Sequence, residues 1–267
     1  MSASLDVFQG LGLLSLMRPY LLVLMTIVFI GLSSWSWAGP PYITDDPVPV
    51  DYQHWEVYIG SQYFHLTSGV SMQGPLLEIN EGVIPNLQLH VIAPFSYVRS
   101  GQFGNQYGYG DTEFGVKYRF VQETANQPMV GIYPLVEIPT GNAQKGLGNG
   151  QPQIYLPVWI QKSWGRWTSY GGGGYWMNPG PGNQNWWFTG ALLQRSVTDH
   201  LAIGIELYHA TPNTYNGQSR TSSNIGIVYD MNEGRHLLFS IGRDFDSQNS
   251  LAFYVAHQWT FGPPEKR

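Results

Sequence analysis

A hydrolase built on this chain would need a nucleophile, a base and an orienting group gathered in one place. Seven histidines are scattered along the sequence and cysteine is absent, so thiolate nucleophiles, thiolate zinc sites and disulfides are excluded. His209 follows Glu206 by three residues, and His54 precedes Glu56 by two. Strand neighbours alternate faces, so the first pair has opposite parity and does not meet; the second shares a face but is too small a set for a metal. No G-x-S-x-G elbow and no H-E-x-x-H helix occurs, and no catalytic residue is assigned. GNAQKGLGNG carries Lys145, but its spacing is not that of a phosphate-binding loop, and it reads as a polar loop. The ionised residues stand out for another reason. In GDTEFGVKYRF, residues 110–120, Thr112, Phe114, Val116, Tyr118 and Phe120 fall on one face of a strand, and Glu113, Gly115, Lys117 and Arg119 on the other. Such residues line a surface with charge; they imply neither cofactor nor metal.

The elements that must hold them are short strands. Charged residues make up 12% of the 267 and aromatic residues 15%, with 32 Gly and 10 Trp. This composition fits an all-β chain and neither a helical membrane protein nor a disordered one. A net charge of −5 without a basic cluster gives no footprint for nucleic acid. Alternating segments are expected at about 53–65, 75–82, 87–98, 110–121, 129–139, 153–162, 167–177, 185–195, 201–210, 222–230, 236–245 and 250–261, roughly twelve in all. SYGGGGYW at 169–176 carries glycine on both faces and has no clear polarity.

Three further features place these strands in a membrane. From Met17, MRPYLLVLMTIVFIGLSSWSWAG has one base, an apolar stretch and small residues before Ala38. It reads as a secretory signal over residues 1–38, with Met17 the more natural start. The domain that follows is 39–267. Connections alternate in length: TSGVSMQG, RSGQFGNQYG, GNAQKGLGNG, NPGPGNQ and PNTYNGQSRTSS are long, whereas GVIPN, KSWGR, VTDH and MNEGR are short. Outer-membrane barrels show this asymmetry, with short periplasmic turns and longer outer loops. Tryptophan sits near the strand ends. Trp55, Trp164, Trp167 and Trp259 are expected at the inner interface, and Trp176, Trp186 and Trp187 at the outer one.

The expected fold is therefore a closed antiparallel transmembrane β-barrel of about twelve strands. Closure is required because an open edge would leave backbone groups unpaired in hydrocarbon. Phe114, Val116, Tyr118 and Phe120 then face lipid. Glu56, Glu78, Lys117, Arg119, Glu137, Glu206 and Asp230 line the lumen, which is wide enough to conduct small solutes or to be plugged by the barrel's own loops.

VIPNLQLHVIAPFSY, GYGDTEFGVKYRF, YPLVEIPTGN and LLQRSVTDHLAIGIELYH resemble recurrent segments of the MetA-pathway of phenol degradation family of outer-membrane transporters, over residues 40 to 262. The resemblance implies an outer-membrane β-barrel of Gram-negative cells passing aromatic or other small hydrophobic molecules. Its partners would be outer-membrane lipid, a small-molecule solute and the outer-membrane assembly machinery. It carries over no catalytic residues. The chain departs from the usual barrel ending, since Phe261 is followed by GPPEKR. The alternatives are a surface-interaction barrel without a conducting pore, a lipid-acting barrel enzyme and a soluble periplasmic β-sandwich.

Overall fold

The computed structural model describes residues 40–66, 69–245 and 250–263; the expected signal segment and the last four residues lie outside these. Its strands are β1 (Trp55–Leu66), β2 (Gly69–Ile84), β3 (Leu87–Ser100), β4 (Gly104–Tyr109), β5 (Thr112–Val121), β6 (Met129–Ile132), β7 (Leu135–Ile138), β8 (Gln153–Trp164), β9 (Trp167–Met177), β10 (Trp186–Ser196), β11 (Leu201–Ala210), β12 (Arg220–Asn232), β13 (Arg235–Asp244) and β14 (Leu251–Phe261). They form twelve staves of one antiparallel barrel. β4 and β5 are one stave interrupted at residues 110–111, both halves pairing with β3. β6 and β7 are one stave interrupted at residues 133–134, both halves pairing with β5 and β8. Pro134 causes the second break, because it has no N–H to give the ladder. β1 pairs with β14 from Trp55↔Phe261 to His65↔Leu251, and this pairing closes the sheet.

Alternation fixes which way each strand faces. Phe114, Val116, Tyr118 and Phe120 are 37–51% exposed, whereas Lys117 between them is 6% exposed. Ile203, Ile205 and Leu207 are exposed on β11, and Glu206 is fully buried among them. The aliphatic row is thus turned out all round a sheet with no edge, and hydrocarbon is the environment such a belt fits. A soluble sandwich would show the reverse. Among the described residues no helix is long and apolar enough to cross a membrane; the strands make the crossing.

Two expected loops turn out to be mostly strand. β2 begins at Gly69, so most of TSGVSMQG is ladder, and β4 takes up GNQYG from the second loop. Beyond the bilayer water touches both faces of a hairpin, so nothing there imposes the apolar alternation by which a strand is read. At the other end the turns are tight: β2 and β3 are joined by Pro85 and Asn86, and Asn86 adopts φ +68, a conformation that asparagine tolerates.

Candidate functional site: the occluded lumen

The barrel is closed from within by its own leading segment. Residues 40–50 precede β1, and Tyr42, Ile43, Thr44, Asp45, Pro47 and Val50 are all buried. PPYITDDPVPV has four prolines, and their missing N–H groups and fixed φ keep it from joining the sheet as another strand. It crosses the lumen as an irregular plug held by side chains of the wall.

Space for the plug comes from inward-facing glycines. A Cβ on Gly226 of β12 would lie 2.3 Å from Tyr42 Cε1, and one on Gly204 of β11 would lie 2.4 Å from the Tyr42 hydroxyl. At Gly190 of β10 it would meet Thr44 Oγ1 at 1.9 Å, and at Gly131 of β6 it would meet Pro47 Cβ at 3.0 Å. Four staves thus share a groove cut to the shape of residues 42–47. Any larger side chain there would occupy the volume of the plug.

Polar anchors complete the seat. The Glu206 carboxylate accepts hydrogen bonds from the backbone N–H of Ile43 at 3.2 Å, from that of Thr44, and from Asn224 Nδ2 at 2.7 Å. Lys117 Nζ donates to Asp45 Oδ1 at 2.9 Å and stands 3.5 Å from Asp46 Oδ1. Val50 N–H donates to Gln88 Oε1 at 2.9 Å, and Ser240 Oγ donates to the Pro41 carbonyl at 2.6 Å. Two charged residues buried in the wall, Glu206 and Lys117, therefore bind the plug. Removed from water, each depends on its partners.

The remaining residues expected in the lumen fall into two groups. Glu56 accepts from the Tyr58 hydroxyl, and Glu78 accepts from Asn80 Nδ2 at 2.9 Å. Glu137 is buried and lies across the ladder from Glu113. Arg119 donates through Nε and a terminal nitrogen to Asn86 Oδ1 at 3.0 and 2.8 Å, fastening a turn. Asp230 is paired with His236 at 2.6 Å. His209 faces outward and bonds to Thr221, with its ring directed away from Glu206. A polar cluster absent from the sequence reading surrounds His90, whose ring nitrogens lie 2.6 Å from Asn80 Oδ1 and 3.0 Å from Glu113 Oε1. The parity of Gln88 and His90 on β3 was the available signal for it.

The opposite wall is aromatic. Tyr155 stacks on Trp176 at 4.6 Å and Trp176 on Trp186 at 5.4 Å; Phe188 stacks on Tyr208 at 5.9 Å. With Ile43, Tyr133, Leu135 and Trp159 they form one buried cluster. Trp176 and Trp186 were expected at the outer interface, but they are 3% and 6% exposed inside the barrel. Adjacent residues face opposite ways, so only one of Trp186 and Trp187 could look outward. That one is Trp187, at 59% exposure. Trp55, Trp164 and Trp167 are exposed on the outer surface, and Trp259 stacks on His257 at 4.0 Å. The lumen thus has a mainly polar side on β1–β5 and β12–β14 and a mainly aromatic side on β6–β11, which also carries Glu137 and Glu206. A small open pocket, of about 30 Å³, remains beside the plug, with Tyr42, Ile43, Gln62, Phe64, Leu76 and Tyr254 in its lining.

At the outer mouth three connections are bonded together. Asp111 accepts from the N–H of Gly141 at 2.8 Å and of Asn149 at 2.5 Å. Burial pushes its carboxyl above the usual range, while those amides pull it back. Asn149, Asn178 and Asn183 exchange side-chain hydrogen bonds of 3.1–3.3 Å, and Asn178 Nδ2 reaches the Asn213 carbonyl at 3.0 Å. Lys145 is exposed on this lid.

A family model described as MetA-pathway of phenol degradation matches residues 42–259. No curated protein sequence matches the chain. Among solved structures, the COG4313 outer membrane channel from Pseudomonas putida F1 is similar, with TM-score 0.69 and 15% identity over 81% of this chain and 98% of that one. The NanC porin aligns with TM-score 0.56 and 9% identity over 76% and 98%. The KdgM porin aligns with TM-score 0.54 and 11% identity over 77% and 99%.

Proposed function

We propose that this chain, which belongs to the MetA-pathway of phenol degradation family, is an outer-membrane channel for small molecules, closed at rest by residues 40–50. The observation that carries this reading is the glycine groove. Gly190, Gly204 and Gly226 leave room that Tyr42 and Thr44 enter, and the plug is fastened by side chains and not by a sheet ladder. A segment bound this way can leave and return without opening the barrel. Similarity in fold to proteins named as channels and porins supports the same reading.

The wall suggests the class of solute. Stacked aromatic rings on one side of the lumen suit flat, apolar or aromatic molecules, held by dispersion and ring stacking. Polar side chains opposite would accommodate a hydroxyl or carbonyl. Planar-bilayer recording tests the channel itself: protein with a weakened plug anchor should pass current in discrete steps. A barrel serving only as a surface element would stay silent with its plug loosened, and silence would refute the channel reading.

A further inference from the structure

The outer surface of the barrel sorts its side chains by height. Along β13, β14, β1, β2 and β3 the ladder pairs Arg243 with Leu251, Leu251 with His65, His65 with Val70 and Val70 with Arg99. Paired residues lie side by side and share a face, so Arg243, His65 and Arg99 stand in one row around the wall. All three are exposed. The row is at the end of these strands opposite the short turns, which is the external end of an outer-membrane barrel. Neighbouring strands are about 4.8 Å apart, so successive bases are separated by about 10 Å and the row spans about 20 Å.

Beneath it runs a second row in the same register: Ile241, Phe253, Tyr63, Met72, Tyr97 and Tyr107. Lower still, Phe95 stacks on Tyr107 at 6.0 Å and meets Tyr109 edge-on at 5.8 Å. Tyrosine settles at headgroup level, with its ring toward acyl chains and its hydroxyl toward water. The basic row above therefore stands among lipid headgroups. No acid balances it: among the described residues, no Asp or Glu occupies the outward face at the external ends of these five strands. Asp244, next to Arg243 in sequence, is turned inward and buried. The side chains of Arg99 and His65 make no hydrogen bond or ion pair with another described residue. On the far side of the barrel the external ends of β9 and β10 carry the outward rings of Tyr175 and Trp187, 4.9 Å apart, and no Lys or Arg.

From these rows we infer that the flank formed by β13, β14, β1, β2 and β3 is a docking surface for a phosphorylated glycolipid of the outer leaflet. Arg243, His65 and Arg99 take its phosphate groups, and the tyrosine row lies against its sugars and upper acyl chains. Arginine grips phosphate through parallel N–H donors, and a histidine ring nitrogen donates as well. A row of bases about 20 Å long suits a headgroup bearing two phosphates better than one bearing a single charge. The inference goes beyond the channel reading and does not depend on it, since a barrel that passes no current would hold the lipid equally well.

Native mass spectrometry of the full chain in detergent, titrated with lipid A bearing both phosphates, tests it by counting the lipid held by each barrel. The unsubstituted protein should retain lipid A and bind it more tightly than phosphatidylglycerol, an anionic lipid with one phosphate. Arg99→Gln with Arg243→Gln should weaken binding roughly 30-fold, each charge near a lipid surface being worth about fivefold. Arg195→Gln with Arg235→Gln removes two exposed bases at the periplasmic end and should leave binding unchanged. Lipid A stripped of its phosphates should lose affinity for the unsubstituted protein to the same extent as the Arg99 and Arg243 double variant loses it for the intact lipid. Heat-modifiable gel migration checks that each variant is a folded barrel, and if the double variant is not, the comparison of intact with stripped lipid A on the unsubstituted protein decides alone. Equal binding of intact and stripped lipid A overturns the proposal, as does equal binding of phosphatidylglycerol. Undiminished binding by a folded double variant, or an equal loss in the periplasmic control, overturns it too.

Discussion

Adding one carbon to the groove should open the channel. In Gly226→Ala the new Cβ would lie 2.3 Å from Tyr42 Cε1, 2.6 Å from Cζ and 2.9 Å from the hydroxyl. Ordinary contact between carbons needs about 3.5 Å, so the ring must retreat by about 1 Å. The Tyr42 hydroxyl also packs against Gly204 on the neighbouring strand, where even an added Cβ would lie 2.4 Å from it, so the ring has little room to move on that side. Overpacking of this kind costs about 1–3 kcal/mol. The cost falls on plug docking, since the wall is held by continuous ladders and the plug by a few side chains. A shift of that size multiplies the unseated fraction by roughly 5–150. Single-channel recording in planar bilayers measures it as open time. Gly60→Ala, whose Cβ would meet Ala256 Cβ at 2.8 Å, adds the same carbon away from the plug and should leave open time unchanged. Heat-modifiable gel migration checks that both variants remain folded barrels. If Gly226→Ala is folded and opens no more often than the unsubstituted protein, the plug is not what closes the lumen.

Glu206→Gln keeps the shape of the anchor but makes it a weaker acceptor for Ile43 and Thr44; at about 1.5–3 kcal/mol for hydrogen bonds to a charged group, open time should rise as in Gly226→Ala. Lys117→Ala leaves Asp45 buried without its cation, an imbalance of about 3–5 kcal/mol, so it should give the larger increase in open time while heat-modifiable migration stays normal. Val116→Arg puts a charge on the lipid face and should cost about 2–4 kcal/mol at mid-membrane, read as a lower urea midpoint for refolding into vesicles. Trp186→Ala removes a ring from the lumenal stack and should change single-channel conductance after plug release; Trp187→Ala, on the outer surface, should leave it unchanged.

The sequence was most legible where hydrocarbon touches the chain. Lipid permits no ionised side chain along the row Phe114, Val116, Tyr118 and Phe120, so the alternation of β5 is clean and the facing of Lys117 follows from it. Extracellular hairpins are wet on both faces, and the outer parts of β2 and β4 therefore read as loops. Position along a strand suggested a girdle for Trp176 and Trp186, but SYGGGGYW has too few side chains to reveal its parity. The plug was hidden for another reason. Residues 40–50 have no period of their own, and their contacts with Gly190, Gly204 and Glu206 span more than a hundred residues of chain. Glu206 was recognisable as inward-facing, but nothing local shows that its partners are the amides of Ile43 and Thr44.

Proline at positions 40, 41, 47 and 49 bears on how fast such a stopper could cycle. A chain whose φ angles are already fixed gains little conformational freedom when it swings into the periplasm, and so surrenders little when it comes back. It also brings few unsatisfied amides to solvent and few that must be stripped of water on return. Reseating should therefore be quick, making each opening a brief excursion and the shut barrel the state to which the molecule promptly relaxes.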